Sequence, residues 1–248
     1  MNRKKILIYG IIPIGSAITM VLMYFSGIDF LVTLIAPNIP NLYPNSSREF
    51  GLLENLQNVL LLGMLAITVI GFRRKSNLLE KMALVGIGCF TLLIFLEEID
   101  YGLHYYELLR GIEVDEAVKA RNRHNVPGRT PVIKKVLDSG MVMMFLILPI
   151  ALRNNRNPFV QHILPDKFST ITLLGSFAVS AFAHALDDRG FAEGGLLHQN
   201  ISEFREYLIY YLFMLYLGEL TLRRQWGASP TPEKVDPLRS NADDKVDS

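Results

Sequence analysis

The feature that most constrains this chain is a series of six apolar runs, each about as long as a membrane's hydrocarbon layer requires. About 20 helical residues cross that layer, so runs of this length predict membrane-spanning helices. The predicted spans are 6–26, 50–72, 79–99, 136–152, 168–185 and 201–222. The predicted fold class is therefore all-α, a polytopic transmembrane helix bundle with about six spans.

The flanking lysines and arginines predict the orientation of these spans. Cytoplasmic loops of membrane proteins are enriched in these residues. They gather on one side of the predicted topology, as Arg3, Lys4, Lys5, Arg73, Arg74, Lys75, Lys81, Arg153, Arg156, Lys167, Arg223 and Arg224. We expect both termini in the cytoplasm of a bacterial cell, with residues 1–226 as a transmembrane domain in the inner membrane. Residues 227–248 are predicted to form a disordered polar cytoplasmic tail.

Composition excludes several other classes. The net charge is only +1, and no basic stripe is interleaved with aromatic residues, so no nucleic-acid partner is expected. The single cysteine, Cys89, excludes a disulfide framework and a thiolate metal cage. The sequence contains no HExxH, GxSxG or glycine-rich phosphate loop, which leaves zincin, serine hydrolase and nucleotide-binding functions without support.

Most acids and histidines within or beside the spans fall at the same predicted end, the outer one. A charge at the bilayer centre costs roughly 2.5 to 3.5 kcal/mol, so such a collection requires pairing, water or a metal. Its members are Glu54, Glu97, Glu98, Asp100, His104, His184, Asp187, Asp188, His198, Glu203 and Glu206. A shared polar site at the outer membrane face is the prediction.

The third span supplies the densest part of this set. We expect its helix to continue past the bilayer, which places Glu97, Asp100 and His104 on one face and turns Glu98 a quarter-turn away. Such a face suits a metal or a proton relay, and the alternative is that these acids only solvate the emerging helix end. In the second span, Glu54 lies one turn inside the apolar region, where the helix dipole does not account for it.

The fifth and sixth spans supply further candidate ligands. His184 and Asp188 are four residues apart, an arrangement that suits a divalent metal. The alternative is a histidine that is only hydrogen-bonded to a neighbouring aspartate. His198 and Glu206 follow a glycine-rich loop, and the tyrosines of the last span are predicted to serve packing or the interfacial belt.

One outer loop departs from the charge rule, because residues 110–135 carry seven lysines and arginines against three acids. We expect this loop to meet an acidic partner, either the protein's own carboxylates or a lipid phosphate. Arg121 and Arg123 of this loop, together with Arg48, would orient an anionic headgroup, because a guanidinium pairs with phosphate through two hydrogen bonds.

Two resemblances bear on the architecture. The run from Glu97 to Gly102 resembles the EEISWGQ motif of an uncharacterised group of bacterial polytopic membrane proteins, with differences at Asp100, Tyr101 and Leu103. His124-Asn125, Glu203, Glu206 and Glu54 fit the same group, and the resemblance covers residues 48–222. The group implies an architecture and no activity.

The second resemblance concerns chemistry. Ser180, His184 and the following aspartates resemble the alkaline ceramidase and adiponectin-receptor hydrolases, seven-helix proteins whose Ser, Asp and three His build an intramembrane zinc site. This chain has six predicted spans and no closing HxxxH. Two of the three histidines would therefore come from His104, His124 and His198.

These observations favour a metal-dependent membrane hydrolase or transferase that acts on lipid. His104, His184, Asp188 and His198 would hold Zn²⁺, which lowers the pKa of a bound water to about 7. The catalytic candidates are Glu97 or Glu98 as general base, with Asp100 and Glu54. The substrate-binding candidates are Arg48, Arg121, Arg123, Glu203 and Glu206.

Two other classes compete with this hypothesis. The protein would otherwise be a non-catalytic accessory subunit, with a membrane-complex partner or a second copy of itself as the expected partner. A separate alternative is that the cluster is only a network of buried ion pairs that fixes the helix register without any ligand. A proton- or ion-coupled transporter would use the same acids, but it needs a polar path across the bundle. The sequence offers few groups for such a path, and Thr68, Thr91 and Thr172 are weak candidates.

Overall fold

The computed structural model describes residues 3–40, 42, 47–111, 130–191, 195–198 and 200–222, with the backbone alone at 130–134 and 222. Every regular element in this part of the chain is helical, which confirms the predicted all-α class. The helices are α1 (Arg3–Tyr24), α2 (Asp29–Ile35), α3 (Leu52–Arg74), α4 (Leu78–Glu98), α5 (Leu103–Arg110), α6 (Thr130–Val142, continued through a π-helical turn at Met143–Ile147 into Leu148–Ala151), α7 (Pro158–Ile163), α8 (Ser169–Asp187) and α9 (Glu203–Leu222). The predicted polar tail lies outside the described residues.

Four of these helices, α1, α3, α4 and α8, are long and apolar enough to cross a membrane. Their most apolar windows have mean hydropathies of 2.2, 1.7, 2.0 and 1.4, respectively. Helices also occupy the other two predicted positions, but α6 and α9 carry more charge. In α9 these charges are Glu203, Arg205, Glu206 and Glu219. The chain is therefore a helical protein with four candidate membrane spans.

Contacts between helix ends define the two ends of the bundle. At one end, Lys5 of α1 pairs with Asp166 just before α8. At the opposite end, the amide of Leu197, just before α9, donates to the Tyr24 hydroxyl at 2.9 Å. The first end also holds Glu80, whose Oε1 lies 3.0 Å from Lys75 Nζ and 2.8 Å from His162 Nε2. We call the end that contains Tyr24 the acidic end.

The main apolar core joins α1, α3, α8 and the start of α9. Apolar side chains that are buried in all four helices pack into one cluster, including Val21, Leu53, Ala183 and Phe204. Burial of apolar side chains is the general reason that helices associate in this way where water reaches them. Within lipid, close packing itself stabilises the contact. This core holds the α3 and α9 termini side by side at the acidic end.

The turn before α3 is fixed by a close backbone approach at Gly51. A Cβ atom at this position would lie 2.0 Å from the carbonyl oxygen of Ile35 at the end of α2. Only glycine fits here without a shift of backbone, because no flexible side chain can give way. The turn that carries Arg48 and Glu49 is thereby held against α2.

The expected continuation of the third span is wrong. Helix α4 ends at Glu98, and a short 3₁₀ turn follows at Asp100–Gly102. Asp100, Tyr101 and Gly102 have φ values of 45°, 53° and 87°, so three consecutive residues adopt the left-handed region and interrupt the helix. Consequently, Glu97, Asp100 and His104 do not share one helical face.

Candidate functional site

Arg48 lies between two carboxylates at the acidic end. Its Nη2 is 3.5 Å from Glu203 Oε1, and its Nε is 3.4 Å from Glu49 Oε1. The three side chains are only 11–15% exposed. The charge pair therefore connects the turn before α3 to the first turn of α9 in a mostly buried position.

Gln57 reinforces the same connection. This side chain is fully buried, and its Nε2 donates to the carbonyl oxygen of Glu203 at 3.0 Å and to its Oε2 at 3.3 Å. A carbonyl in the first turn of a helix normally accepts from a residue further along the helix, so this second hydrogen bond is an addition. Gln57 thus sets the position of α9 relative to α3 and orients the Glu203 carboxylate.

Helix α4 contributes its last residue to the site. The hydroxyl of Tyr210, two turns into α9, donates to Glu98 Oε1 at 2.6 Å. A hydrogen bond to a carboxylate is shorter and stronger than one between neutral groups. Glu98 thus connects the end of α4 to α9.

Glu54 completes a cluster in which negative charge exceeds positive charge. Its side chain is 3% exposed, and its strongest electrostatic neighbours are Glu203, Glu49, Arg48 and Glu98. Its Oε1 accepts no hydrogen bond from any described residue. We call Glu49, Glu54, Glu98 and Glu203, with Arg48 among them, the acidic cluster. Four ionised carboxylates and one guanidinium would leave three uncompensated negative charges, which a largely buried site disfavours.

The pKa values of Arg48 and Glu49, the two members of the cluster that precede α3, are shifted by this environment. Burial raises the pKa of the Glu49 carboxyl to about 8, and Glu203 and Glu98 add to this effect while Arg48 opposes it. Burial would lower the pKa of the Arg48 guanidinium, but Glu203, Glu49 and Glu54 outweigh that effect and raise it. Arg48 therefore stays charged, whereas Glu49 holds a proton at neutral pH.

A shallow hollow, partly open to solvent, lies beside the cluster. Glu49, Phe50, Asn58, Glu98, Ile99, His104 and Tyr105 line it. The side chains fill it so closely that a water molecule enters only if they move. The rings of Phe50 and Tyr105 meet edge to face, with centroids 5.6 Å apart, at its wall. Helix α5 thus closes one side of the acidic site.

The predicted metal ligands do not come together. His104 lines the hollow, but His184 and Asp188 are exposed at the end of α8. His198 is half-exposed, and its Nδ1 lies 2.9 Å from Asp187 Oδ1. Within the described part of the chain, no three His, Cys, Asp or Glu side chains are grouped so that they would hold a metal ion. The donor set expected for Zn²⁺ therefore does not fit this arrangement.

The other predicted site residues are placed as follows. Asp100 is buried in the break after α4, and Glu97 is half-buried at the end of α4. Glu206 lies close enough to Arg48 and Tyr210 to interact with both electrostatically. Arg121 and Arg123, like His124, lie outside the described residues.

Three residues of the site, Glu49, Gln57 and Tyr210, were not predicted from the sequence. Tyr210 was assigned to packing, but it lies four residues after Glu206 and seven after Glu203. All three therefore share one face of α9. This spacing was the available signal. Gln57 has the same three-residue spacing from Glu54 on α3.

A second ion pair lies at the start of α9. Arg205 pairs with Asp138 of α6, and its guanidinium lies 4.8 Å from the centre of the Phe177 ring on α8. Arginine stacks on aromatic rings because it is planar and weakly hydrated. This contact fixes the first turn of α9 from the side opposite Arg48.

Comparison with known proteins adds no family to this description, since no protein-family model, curated protein or solved structure matches the chain.

Proposed function

We propose that this is an integral membrane protein whose acidic cluster reversibly binds a proton at one membrane face. The observation that carries the proposal is the convergence of four glutamates with one guanidinium, that of Arg48, beside a hollow that has no space for a water molecule. A proton is the one cation that needs no cavity. Like charges this close do not all ionise, so the cluster holds a shared proton near neutral pH.

The burial of Glu54 supports the same reading. A buried carboxylate oxygen without a donor is costly when it is ionised and much less costly when the group is neutral. Glu54 Oε1 has no donor among the described residues. The histidines that a metal-dependent lipid hydrolase would use are not gathered, so that hypothesis stays a prediction and the proton-binding class has the better geometric support.

The hydroxyl groups deeper in the bundle favour a site that opens to one face. Thr68 donates to the carbonyl oxygen of Leu65 at 2.7 Å, and Thr172 donates to the carbonyl oxygen of Tyr9. Both hydroxyls are thus engaged by backbone. Proton movement through a protein requires a chain of exchangeable groups. We therefore propose proton binding that serves a one-sided function, such as pH-dependent action on a ligand or a partner subunit, rather than transport across the membrane.

The topology is part of the proposal. Helices α1, α4 and α8 run toward the acidic end, whereas α3 and α9 run away from it, as the contacts of Lys5, Tyr24 and Arg48 indicate. This alternation supports six spans if α6 and α9 also cross the membrane. We propose that both termini face the cytoplasm of a bacterial inner membrane and that the acidic cluster faces outward.

The proposal is tested by counting protons. Purified protein in nanodiscs is titrated between pH 5 and pH 9, and the bound protons are compared between the native chain and the Glu49→Gln and Glu54→Gln variants. We expect the Glu49→Gln variant to release about one proton fewer in this range. Identical titration curves for the native chain and both variants would overturn the proposal. Proton release on addition of NaCl or CaCl₂ at constant pH would show instead that the site binds a metal cation.

A further inference from the structure

Helix α5 has its apolar and polar sides reversed relative to a surface helix of a soluble protein. Tyr105, Tyr106, Leu108 and Leu109 are 46%, 49%, 44% and 84% exposed, respectively. On the inner side Glu107 is completely buried, and His104 of the same side lines the hollow. An amphipathic helix in water turns its apolar side inward. The arrangement in α5 is the opposite one.

The exposed side of α5 follows directly on a surface of the same kind. Helix α4 is the least buried of the four candidate spans, with 11% of its most apolar window buried inside the protein. Phe90, Leu92 and Leu93 on the last turns of α4 are 58%, 44% and 56% exposed. Only the short break at Asp100–Gly102 separates these turns from α5. The apolar surface thus runs along α4 and onto α5.

The residues at the edge of α5 are those that favour the boundary between lipid and water. Tyrosine is enriched at the headgroup level, because its ring is apolar and its hydroxyl is polar. Tyr101, Tyr105 and Tyr106 are all about half-exposed. The guanidinium of Arg110 lies 5.8 Å from the centre of the Tyr106 ring, so the last turn carries a cation that can reach the headgroups.

We propose that α5 lies in the membrane interface and that lipid acyl chains cover its apolar side, while its polar side closes the acidic cluster. The occupant of this surface is the bilayer itself. The acidic site is then bounded by lipid on the side of Phe50 and Tyr105, so a ligand reaches it along the interface. This proposal rests on membrane embedding and not on proton binding.

A spin label tests the proposal directly, because the chain has a single native cysteine, Cys89. A nitroxide is attached at Leu109→Cys in a Cys89→Ser background, in nanodiscs. Its collision rate with oxygen, which concentrates in lipid, is compared with its collision rate with a water-soluble nickel complex. Leu109 is a safe site for the label, since 84% of the side chain is exposed.

Two labelled positions calibrate the measurement. The native Cys89, exposed on α4, is the lipid reference, and Asp188→Cys, exposed after α8, is the water reference. We expect the label at 109 to favour oxygen, as the label at 89 does. A label at 109 that favours the nickel complex, as at 188, would overturn the proposal. Dipolar broadening between two labels at 109 would also overturn it, since a second copy of the chain would then cover α5.

The same measurement is repeated with Glu49→Gln added. We expect no change in the oxygen preference at 109, because lipid contact does not depend on the proton. Failure of the titration experiment with a retained oxygen preference would remove the proposed function and leave this inference standing. If the titration gives the expected result but the label at 109 favours the nickel complex, only the inference about α5 is removed.

Discussion

Replacement of Glu49 by glutamine removes a buried carboxyl with a raised pKa in the turn before α3. Burial, with help from neighbouring carboxylates, raises the pKa of Glu49 from 4.5 to about 8. At about 1.36 kcal/mol per pH unit, this difference is worth up to about 4–5 kcal/mol. Because the folded state binds the proton more tightly than the unfolded state, the free energy of unfolding falls as pH rises from 4.5 to about 8.

Glutamine has the shape of the neutral carboxyl and does not titrate. At pH 5 we expect the native chain and Glu49→Gln to differ by less than about 1 kcal/mol. At pH 8 the variant should be more stable by as much as about 4 kcal/mol. For a chain of this size about 1 kcal/mol corresponds to roughly 2–4 °C, so the gain in apparent Tm is on the order of 10 °C.

The assay is thermal unfolding in nanodiscs, followed by circular dichroism between pH 5 and pH 9. Asp188→Asn is the matched control, since it also replaces a carboxyl by an amide at the same end of the bundle but at an exposed position. We expect the control to keep the native pH dependence. If Glu49→Gln also keeps it, or is less stable than the native chain at pH 8, the reasoning about the buried carboxyl is refuted.

Three further substitutions probe the contacts that build the site. Arg48→Met leaves the Glu203 carboxylate without its cation and should cost about 3–5 kcal/mol in a chemical unfolding titration, with Arg48→Lys losing less. Gly51→Ala forces a Cβ onto the backbone of α2 and should lower stability by about 1–3 kcal/mol, whereas Gly15→Ala, which meets open space, should not. Tyr210→Phe removes the donor to Glu98 and should cost about 1.5–3 kcal/mol in the same titration; equal stability at every pH would show that the hydrogen bond contributes nothing.

The helices could be predicted from the sequence, because the length of an apolar run is a local property. All six predicted positions are helical, and α3 and α4 begin within two residues of their predicted starts at 50 and 79. The number of spans could not be fixed in this way. In α9, four charged residues share a helix with an apolar surface, and only a measured membrane position decides between burial in lipid and burial in protein.

The break after α4 could not be predicted, because a single glycine was its only local signal. Gly102 adopts a positive φ readily, but Asp100 and Tyr101 do so against their own preference. The Asp100 side chain is buried within this break. A helical extrapolation therefore placed His104 on the wrong face.

The sequence predicted that the acids lie at the same membrane face, but it did not predict which of them contact one another. The one-sided placement of Glu54, Glu98 and Glu203 followed from span direction, and the structure brings these three together. Which histidines join them depends on how the helices are rotated, which a sequence without relatives does not specify. Tyr210 and Gln57 were missed for the same reason.

The central claim is that the cluster holds a proton near neutral pH, and infrared spectroscopy tests it most directly. A protonated carboxyl has a C=O stretch separate from that of a carboxylate, so a titration in nanodiscs follows the buried acids themselves. We predict a protonated-carboxyl band that persists at pH 7, loses the Glu49 contribution by about half near pH 8, and is reduced in Glu49→Gln. A spectrum without any such band above pH 6, or with a band that Glu49→Gln leaves unchanged, would contradict the account.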